Sequence, residues 1–424
     1  MQRMARHRPE PGSPRQPGAN PSSVREQGCP SMTHRHTILR PLPLIVIAQF
    51  FGTSLWFTAN AVIGDLGREW ELTTGQLGHL TSAVQLGFIT GALAFAISGL
   101  ADRWPASRIF LVCAMIGALS NAAFVLSGSM GEAMLWRFIT GLALAGIYPV
   151  GMKLVAGWAP DRKGMALGWL VGMLTLGTAF PHLVRALGPD WDWQTVVLVS
   201  SLLAAVAGIM IGRLGDGPHL PARGVFDWGG VLRAFRLPRY RAAAFGYFGH
   251  MWELYAVWTL APLLIAGMLG LGTDSAQVSL AAFLFIGIGA VGCVLGGYLS
   301  RRFGSARVAF TALAISGLAC LTWPVLGSLP NWIGILFFLT WGLAVIADSP
   351  QLSALAAESA PSDSVGSSLA VMNSIGFLLT VFAIELTAGW WQQLGGATTW
   401  LLVIGPALGL VALRPLLAQP RGSA

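Results

Sequence analysis

Gly99-Leu-Ala-Asp102-Arg103-Trp-Pro-Ala-Ser-Arg108 is a charged turn set between two long apolar runs. A worn copy stands about half the chain further on, at Gly297-Tyr-Leu-Ser300-Arg301-Arg302-Phe-Gly-Ser-Ala-Arg307. Other anchors repeat at nearly the same offset. Phe51-Gly52 returns as Phe248-Gly249, and Thr140-Gly141-Leu-Ala, with Pro149 behind it, returns as Trp341-Gly342-Leu-Ala with Pro350. A repeat of this length means two copies of one structural unit, each with its own charged hinge turn.

Hydrophobic residues make up 54% of the 424 and charged ones 10%, too little charge to cover a soluble surface. The apolar runs are about 20 residues long, the length at which a helix crosses a bilayer. The net charge of +8 does not point to nucleic acid, because its placement is that of topology. Arginines crowd the first forty residues, the turn at Arg103 and Arg108, the stretch 213–241 and the turn 301–307, whereas the alternate loops hold Asp65, Glu69, Glu132, Asp190 and Asp274. This positive-inside pattern predicts an inner (plasma) membrane protein with both termini and the central loop in the cytoplasm. The four cysteines have no pairing or metal-ligand spacing, so neither a metal nor a cofactor is expected.

Polar breaks divide the apolar sequence into spans at 42–64, 77–98, 108–127, 133–156, 164–186 and 195–214, then 240–268, 276–299, 307–327, 331–357, 366–389 and 397–417. The expected fold is an all-α membrane protein of 12 transmembrane helices in two six-helix bundles, 41–214 and 240–417, with no strand periodicity of a barrel. Residues 215–239 read as a cytoplasmic linker with a short surface segment, 1–40 as a disordered cytoplasmic N-terminus and 418–424 as a cytoplasmic tail. Met32 offers a second possible start. Pro149 and Pro350 predict a recurring kink.

The Gly99–Arg108 stretch resembles the loop between helices 2 and 3 of the major facilitator superfamily, G-x-L-a-D-r-x-G-r-r, with Pro105 in place of the second glycine. Arg137-Phe-Ile-Thr-Gly141-Leu-Ala-Leu-Ala145 is similar to that family's fourth-helix pattern. The resemblance covers about residues 40–417 and implies alternating access. Phe50-Phe-Gly-Thr-Ser-Leu-Trp-Phe-Thr-Ala-Asn60 is weakly similar to the nitrate/nitrite porter and cyanate permease-like group. The arginines with which nitrate porters clamp their anion in helices 2 and 8 have no counterpart at 77–98 or 276–299, which speaks against nitrate. An antiporter motif in helix 5 is also lacking.

Gly99, Asp102, Arg103 and Arg108 are the expected conformational latch, Asp102 capping a helix N-terminus or pairing with a neighbouring arginine. Its C-terminal copy has Ser300 in place of the acid. Ionisable residues at bilayer depth are candidates for function by default. His250 and Glu253 share one face of the seventh span, and Glu253 lies about 18 Å along the helix axis from Arg241, near the midplane. Asp348 and Arg137 complete the charged candidates for substrate or proton binding. Trp56 stands where the repeat places Glu253, with Asn60 one turn on, and together with Trp258 these complete the expected pocket. Such aromatic walls suit an aromatic or drug-sized ligand better than an inorganic ion.

These features predict a secondary active transporter of a small solute, proton-coupled through Glu253 and monomeric in the lipid bilayer, rather than an enzyme. The alternatives are a proton-driven efflux pump for drug-like compounds and a non-transporting sensor or assembly factor of the same fold.

Overall fold

Among the described residues of the computed structural model, the helices group into twelve spans packed in two sets of six. The structure describes residues 41–159, 163–219, 226–326 and 330–418, without the side chains of 101–102 and 163–167. The expected disordered segment 1–40 and residues 419–424 of the expected tail lie outside the described residues. Among the described residues, eleven helices are long and apolar enough to cross a membrane. Spans 2 to 6 are Thr74–Ser98, Ala106–Phe124, Met130–Trp158, Gly168–Leu187 and Trp193–Leu214. Spans 7 to 12 are Pro238–Leu269, Ala276–Phe303, Ser305–Val325, Asn331–Ser359, Val365–Gly389 and Trp391–Leu417. Their outward faces are apolar as well, with Leu119, Leu202 and Leu408 all about two-thirds exposed. Water does not cover such a surface favourably and lipid does.

Span 1 is not one rod. The sequence predicts a continuous helix over 42–64, but the chain runs as Pro41–Thr53, Thr58–Ala61 and Ile63–Glu69, with an open turn at 54–57. Hydroxyls around the break turn back onto the backbone. Thr53 Oγ1 donates to the Gln49 carbonyl (2.8 Å) and Ser54 Oγ to that of Phe51 (2.7 Å), the local competition by which Ser and Thr loosen a helix.

The sequence repeat returns as a packing repeat. Span 2 packs on 4, 3 on 4 and 6, and 1 on 5 and 6; in the second half, span 8 packs on 10, 9 on 10 and 12, and 7 on 11 and 12. Glycines place the corresponding helices at the same contacts. A Cβ on Gly91 would meet the Leu142 carbonyl and one on Gly292 the Leu343 carbonyl; one on Gly141 would strike the Val84 carbonyl and one on Gly342 that of Phe285. Small residues admit such backbone approach in a membrane, where van der Waals packing replaces hydrophobic attraction. The two sets meet through span 2 against span 11 and span 5 against span 8.

The hinge turns differ between the copies. Span 2 stops at Ser98 because Gly99 takes a left-handed φ of 63°, and a short helix, Leu100–Arg103, follows. Span 8 instead runs through Gly297 to Phe303, and the turn falls at Gly304, φ 87°. The expected kinks are present as helix breaks, at Ala145–Ile147 ahead of Pro149 and at Asp348 ahead of Pro350. The linker carries an amphipathic helix, Trp228–Arg236, tied to span 11 by Asp227 N donating to Ser367 Oγ (3.0 Å) and Arg233 pairing with Asp363 (2.7 Å).

Candidate functional site

A cavity of about 1010 Å³ lies between the two sets of six. Its walls are the linker-end halves of spans 2, 4, 5, 7, 8, 10 and 11, and Phe226 of the linker stands in its lining. Phe88, Tyr255 and Phe377 form its inner wall. The Phe88 and Phe377 rings lie 4.4 Å apart, and those of Tyr255 and Phe377 5.3 Å apart. Trp56 stacks behind them on Tyr255 and Phe377, 5.8 Å from each.

At the far end the halves touch. Gly64 is pressed against Thr273 and Asp274, and Gly78 against Ala388. Arg68 pairs with Asp274 (2.9 Å) and His79 with Glu385 (2.7 Å). Asp65, joined to both Arg68 and Arg185, anchors this end, and Arg185 donates in addition to the carbonyls of Pro189 and Trp191. The molecule is therefore open at the linker end and closed at the opposite one.

Arg137 is wholly buried in the first half. Its Nη1 donates to the Leu55 carbonyl (3.1 Å), Thr58 Oγ1 (2.9 Å) and Asn121 Oδ1 (2.8 Å), and its Nη2 to the Trp56 carbonyl. Those carbonyls lost their helical partners at the break in span 1, and a guanidinium with five donors is suited to collecting them. Asn121 carries the network on to Val197 and Ser201 of span 6. Trp56 Nε1 donates to Gln85 (3.3 Å), and Asn60 exchanges hydrogen bonds with Thr81 (2.9 and 3.2 Å). Trp56 and Asn60 thus knit span 1 to span 2 rather than facing the open cavity. Trp258, fully buried, meets the Tyr255 and Phe57 rings edge-on.

In the second half three sequence candidates come together. His250 and Glu253 of span 7 and Asp348 at the break of span 10 are all 0% exposed. His250 Nδ1 lies 2.9 Å from Asp348 Oδ1. The two face each other without the angle of a good hydrogen bond, and among the described residues no other hydrogen bond reaches either group. Cys320 Sγ donates to Glu253 Oε2 (3.5 Å), while Oε1 has no partner among the described residues. None of the three lines the cavity. Span 7 contributes Tyr247, Met251, Leu254 and Tyr255 to the lining, whereas His250 and Glu253 stand outside it, with the His250 ring 6.0 Å from that of Tyr247.

Gly99 and the exposed Arg103 and Arg108 stand at the linker end; the side chain of Asp102 lies outside the described residues. A different acid caps the helix that follows. Asp216, just beyond span 6, accepts from the backbone N–H of Ala106 (3.1 Å) and Ser107 (2.7 Å) at the start of span 3. More than a hundred residues separate these partners, so no local motif announces them.

Two packed sets of six helices with matching internal contacts, around a cavity open at one end, agree with a match of residues 45–384 to the Major Facilitator Superfamily model. The chain belongs to the major facilitator superfamily. Its apolar spans make it a multi-pass membrane protein of that family. Among its superfamily relatives, the niacin transporter NiaP of Acinetobacter baylyi is 30% identical over 178 residues, 39% of this chain and 38% of the relative. The matched region thus spans about two-fifths of that relative's length. A chloramphenicol resistance protein of Streptomyces lividans is 29% identical over 308 residues, 69% of this chain and 74% of the other. The fold resembles the crystal structure of a bacterial homologue of the human lysosomal transporter Spinster, inward-facing and unoccupied. The TM-score is 0.69 at 15% identity, covering 90% of this chain and 98% of that one.

Proposed function

We propose that this superfamily member is a proton-coupled secondary transporter of a small organic solute, acting as a monomer in the inner membrane by alternating access. The observation that carries the proposal is the buried group of Glu253, His250 and Asp348 directly behind the cavity wall. Ionisable side chains at that depth are costly, and those that persist mark ion and proton pathways. Span 7 contributes both to the cavity lining and to the buried group, so one rod connects the two. Asp348 sits at the break of span 10, and the next three residues, Ser349, Pro350 and Gln351, line the cavity. A rearrangement at Asp348 therefore acts at a joint in the wall.

The concentration of arginines at the linker end supports a cytoplasmic position for that end and for both termini. In that orientation the present form is open to the cytoplasm, and Arg68–Asp274 and His79–Glu385 close the outer side. We assign Gly99, Asp102, Arg103 and Arg108 to the latch of the opposite form, in which the linker end is shut. Arg137 is assigned to holding the break in span 1, with its guanidinium nitrogens Nη1 and Nη2 both engaged there.

Proteoliposome uptake tests the proposal, using a solute found by thermal-shift screening of the purified protein. An imposed pH gradient should drive accumulation by the wild type. Glu253→Gln should abolish accumulation and leave solute exchange across equal pH. Full gradient-driven accumulation by Glu253→Gln would overturn the proton assignment. Export is the second reading, favoured by the long match to the chloramphenicol resistance protein; raised drug susceptibility of a deletion strain, restored by the gene, would select it.

A further inference from the structure

The chain has only 5 tyrosines against 21 phenylalanines, yet Tyr148, Tyr247, Tyr255 and Tyr298 all line the cavity. The remaining one, Tyr240, is occupied elsewhere, its hydroxyl donating to the Ser368 carbonyl (2.7 Å). A phenol differs from a phenyl ring by one hydrogen-bonding group, so its placement here and almost nowhere else marks a surface that offers rings and hydroxyls together. Tyr148 comes from the first half and Tyr247 and Tyr255 from the second.

Among the described lining residues, the inner surface of the cavity carries no charge. The charged ones among them are Arg301, Glu358 and Asp363, and all three are exposed at the linker-end mouth. His250, Glu253 and Asp348 lie behind the wall, and Arg137 is held by span 1. A charged ligand moving inward from the mouth would lose hydration and meet no fixed counter-charge, an unfavourable exchange. At the inner wall the rings of Phe88, Tyr255 and Phe377 adjoin one another, with Trp56 stacked behind. That wall is built from spans 2, 7 and 11, so a ring seated on it touches both halves at once. Asn373 and Gln351 add amide groups to the same surface. The volume of about 1010 Å³ is at the upper end of the range for drug-sized ligands, about 300–1,000 Å³.

We infer that the cavity takes an uncharged, flat aromatic compound with hydrogen-bonding groups on its rim, stacked on Phe88, Tyr255 and Phe377. This inference rests on the transporter reading of the same cavity. It sets the chain apart from a carrier of aromatic carboxylates, which needs a cation in its wall.

Isothermal titration calorimetry of the purified full chain in detergent tests it with three probes of nearly the same shape. These are naphthalene-2-carboxamide, naphthalene-2-carboxylate and the fully saturated decahydronaphthalene-2-carboxamide. The aromatic amide should bind about tenfold more tightly than the carboxylate, which meets no counter-charge. It should bind about fivefold more tightly than the saturated amide, which cannot stack. Phe377→Leu, checked for an unchanged melting temperature, should erase the preference for the aromatic amide over the saturated one. Equal or tighter binding of the carboxylate, equal binding of the saturated amide, or no binding by any of the three would overturn the inference. The assay needs no gradient. Retention of this pattern by a Glu253→Gln protein that still accumulates solute would remove the proton reading and leave the ligand class standing.

Discussion

His250 Nδ1 stands 2.9 Å from Asp348 Oδ1, and neither side chain has any contact with solvent. The pair joins span 7, which also contributes to the cavity lining, to the break in span 10. Removing one member of a buried polar pair leaves the other without its partner, at a cost of about 1–3 kcal/mol, whereas removing both costs much less. Thermal unfolding in detergent should therefore show His250→Ala and Asp348→Asn each strongly destabilised, and the double variant more stable than the sum of the two losses implies. Strict additivity would contradict the coupling.

Arg137 holds the open turn of span 1 through the carbonyls of Leu55 and Trp56. Arg137→Met should lower the unfolding free energy by about 3 kcal/mol or more, since each hydrogen bond to a charged group contributes ~1.5–3 kcal/mol. Arg137→Lys keeps the charge and loses the planar fork, and should recover only part of that. Total transport should fall in step with the folded fraction, and transport per folded molecule should stay near the wild-type level. A normal melting temperature with abolished solute binding would instead make Arg137 a ligand of the solute.

The helix contacts of Gly342 and Gly141 are equivalent, each glycine lying against a carbonyl of a neighbouring span. Gly342→Ala should destabilise the second half by about 1–3 kcal/mol, the usual cost of overpacking, and Gly141→Ala should do the same in the first. Helix-interior alanine is otherwise the better residue, so a gain in melting temperature would show that the close approach is not a constraint.

The far-end ties Arg68–Asp274 and His79–Glu385 join residues that are more than a third exposed. Exposed pairs contribute about 0–1 kcal/mol each, and salt weakens them further. That is enough to move a near-balanced equilibrium a few-fold. Asp274→Asn with Glu385→Gln should widen the distance between nitroxides at Leu126 and Trp332 in electron–electron double resonance. Raised salt should shift the wild type in the same direction. Unchanged distance distributions in both experiments would exclude a gating role for the pairs.

The apolar runs and the Gly99/Gly297 duplication made twelve spans in two sets legible from the sequence, because run length and repetition are local properties. The same holds for the gathering of His250 and Glu253 on one face of span 7. Asp348 joined them only through the packing of span 7 on span 10, which periodicity does not encode. The break at 54–57 was masked by an unbroken apolar run, although Thr53, Ser54 and Thr58 are the hydroxyls that loosen it. The carbonyls that occupy Arg137 lie some eighty residues away in the chain, and so its commitment to span 1 could not be read. The cap on span 3 comes from Asp216 for the same reason. Trp56 and Trp258 drew attention as large aromatics, but the scarcer tyrosines were the better signal of the cavity wall.

The central claim is that proton binding at the Glu253 group moves the equilibrium between the two openings. Its most direct test is the nitroxide distance between Leu126 and Trp332, measured at acidic and alkaline pH in a His79→Gln background that removes the far-end imidazole. Two populations should exchange weight with pH when Glu253 is present, and Glu253→Gln should give one pH-independent distribution. The same pH response in both proteins would contradict the claim.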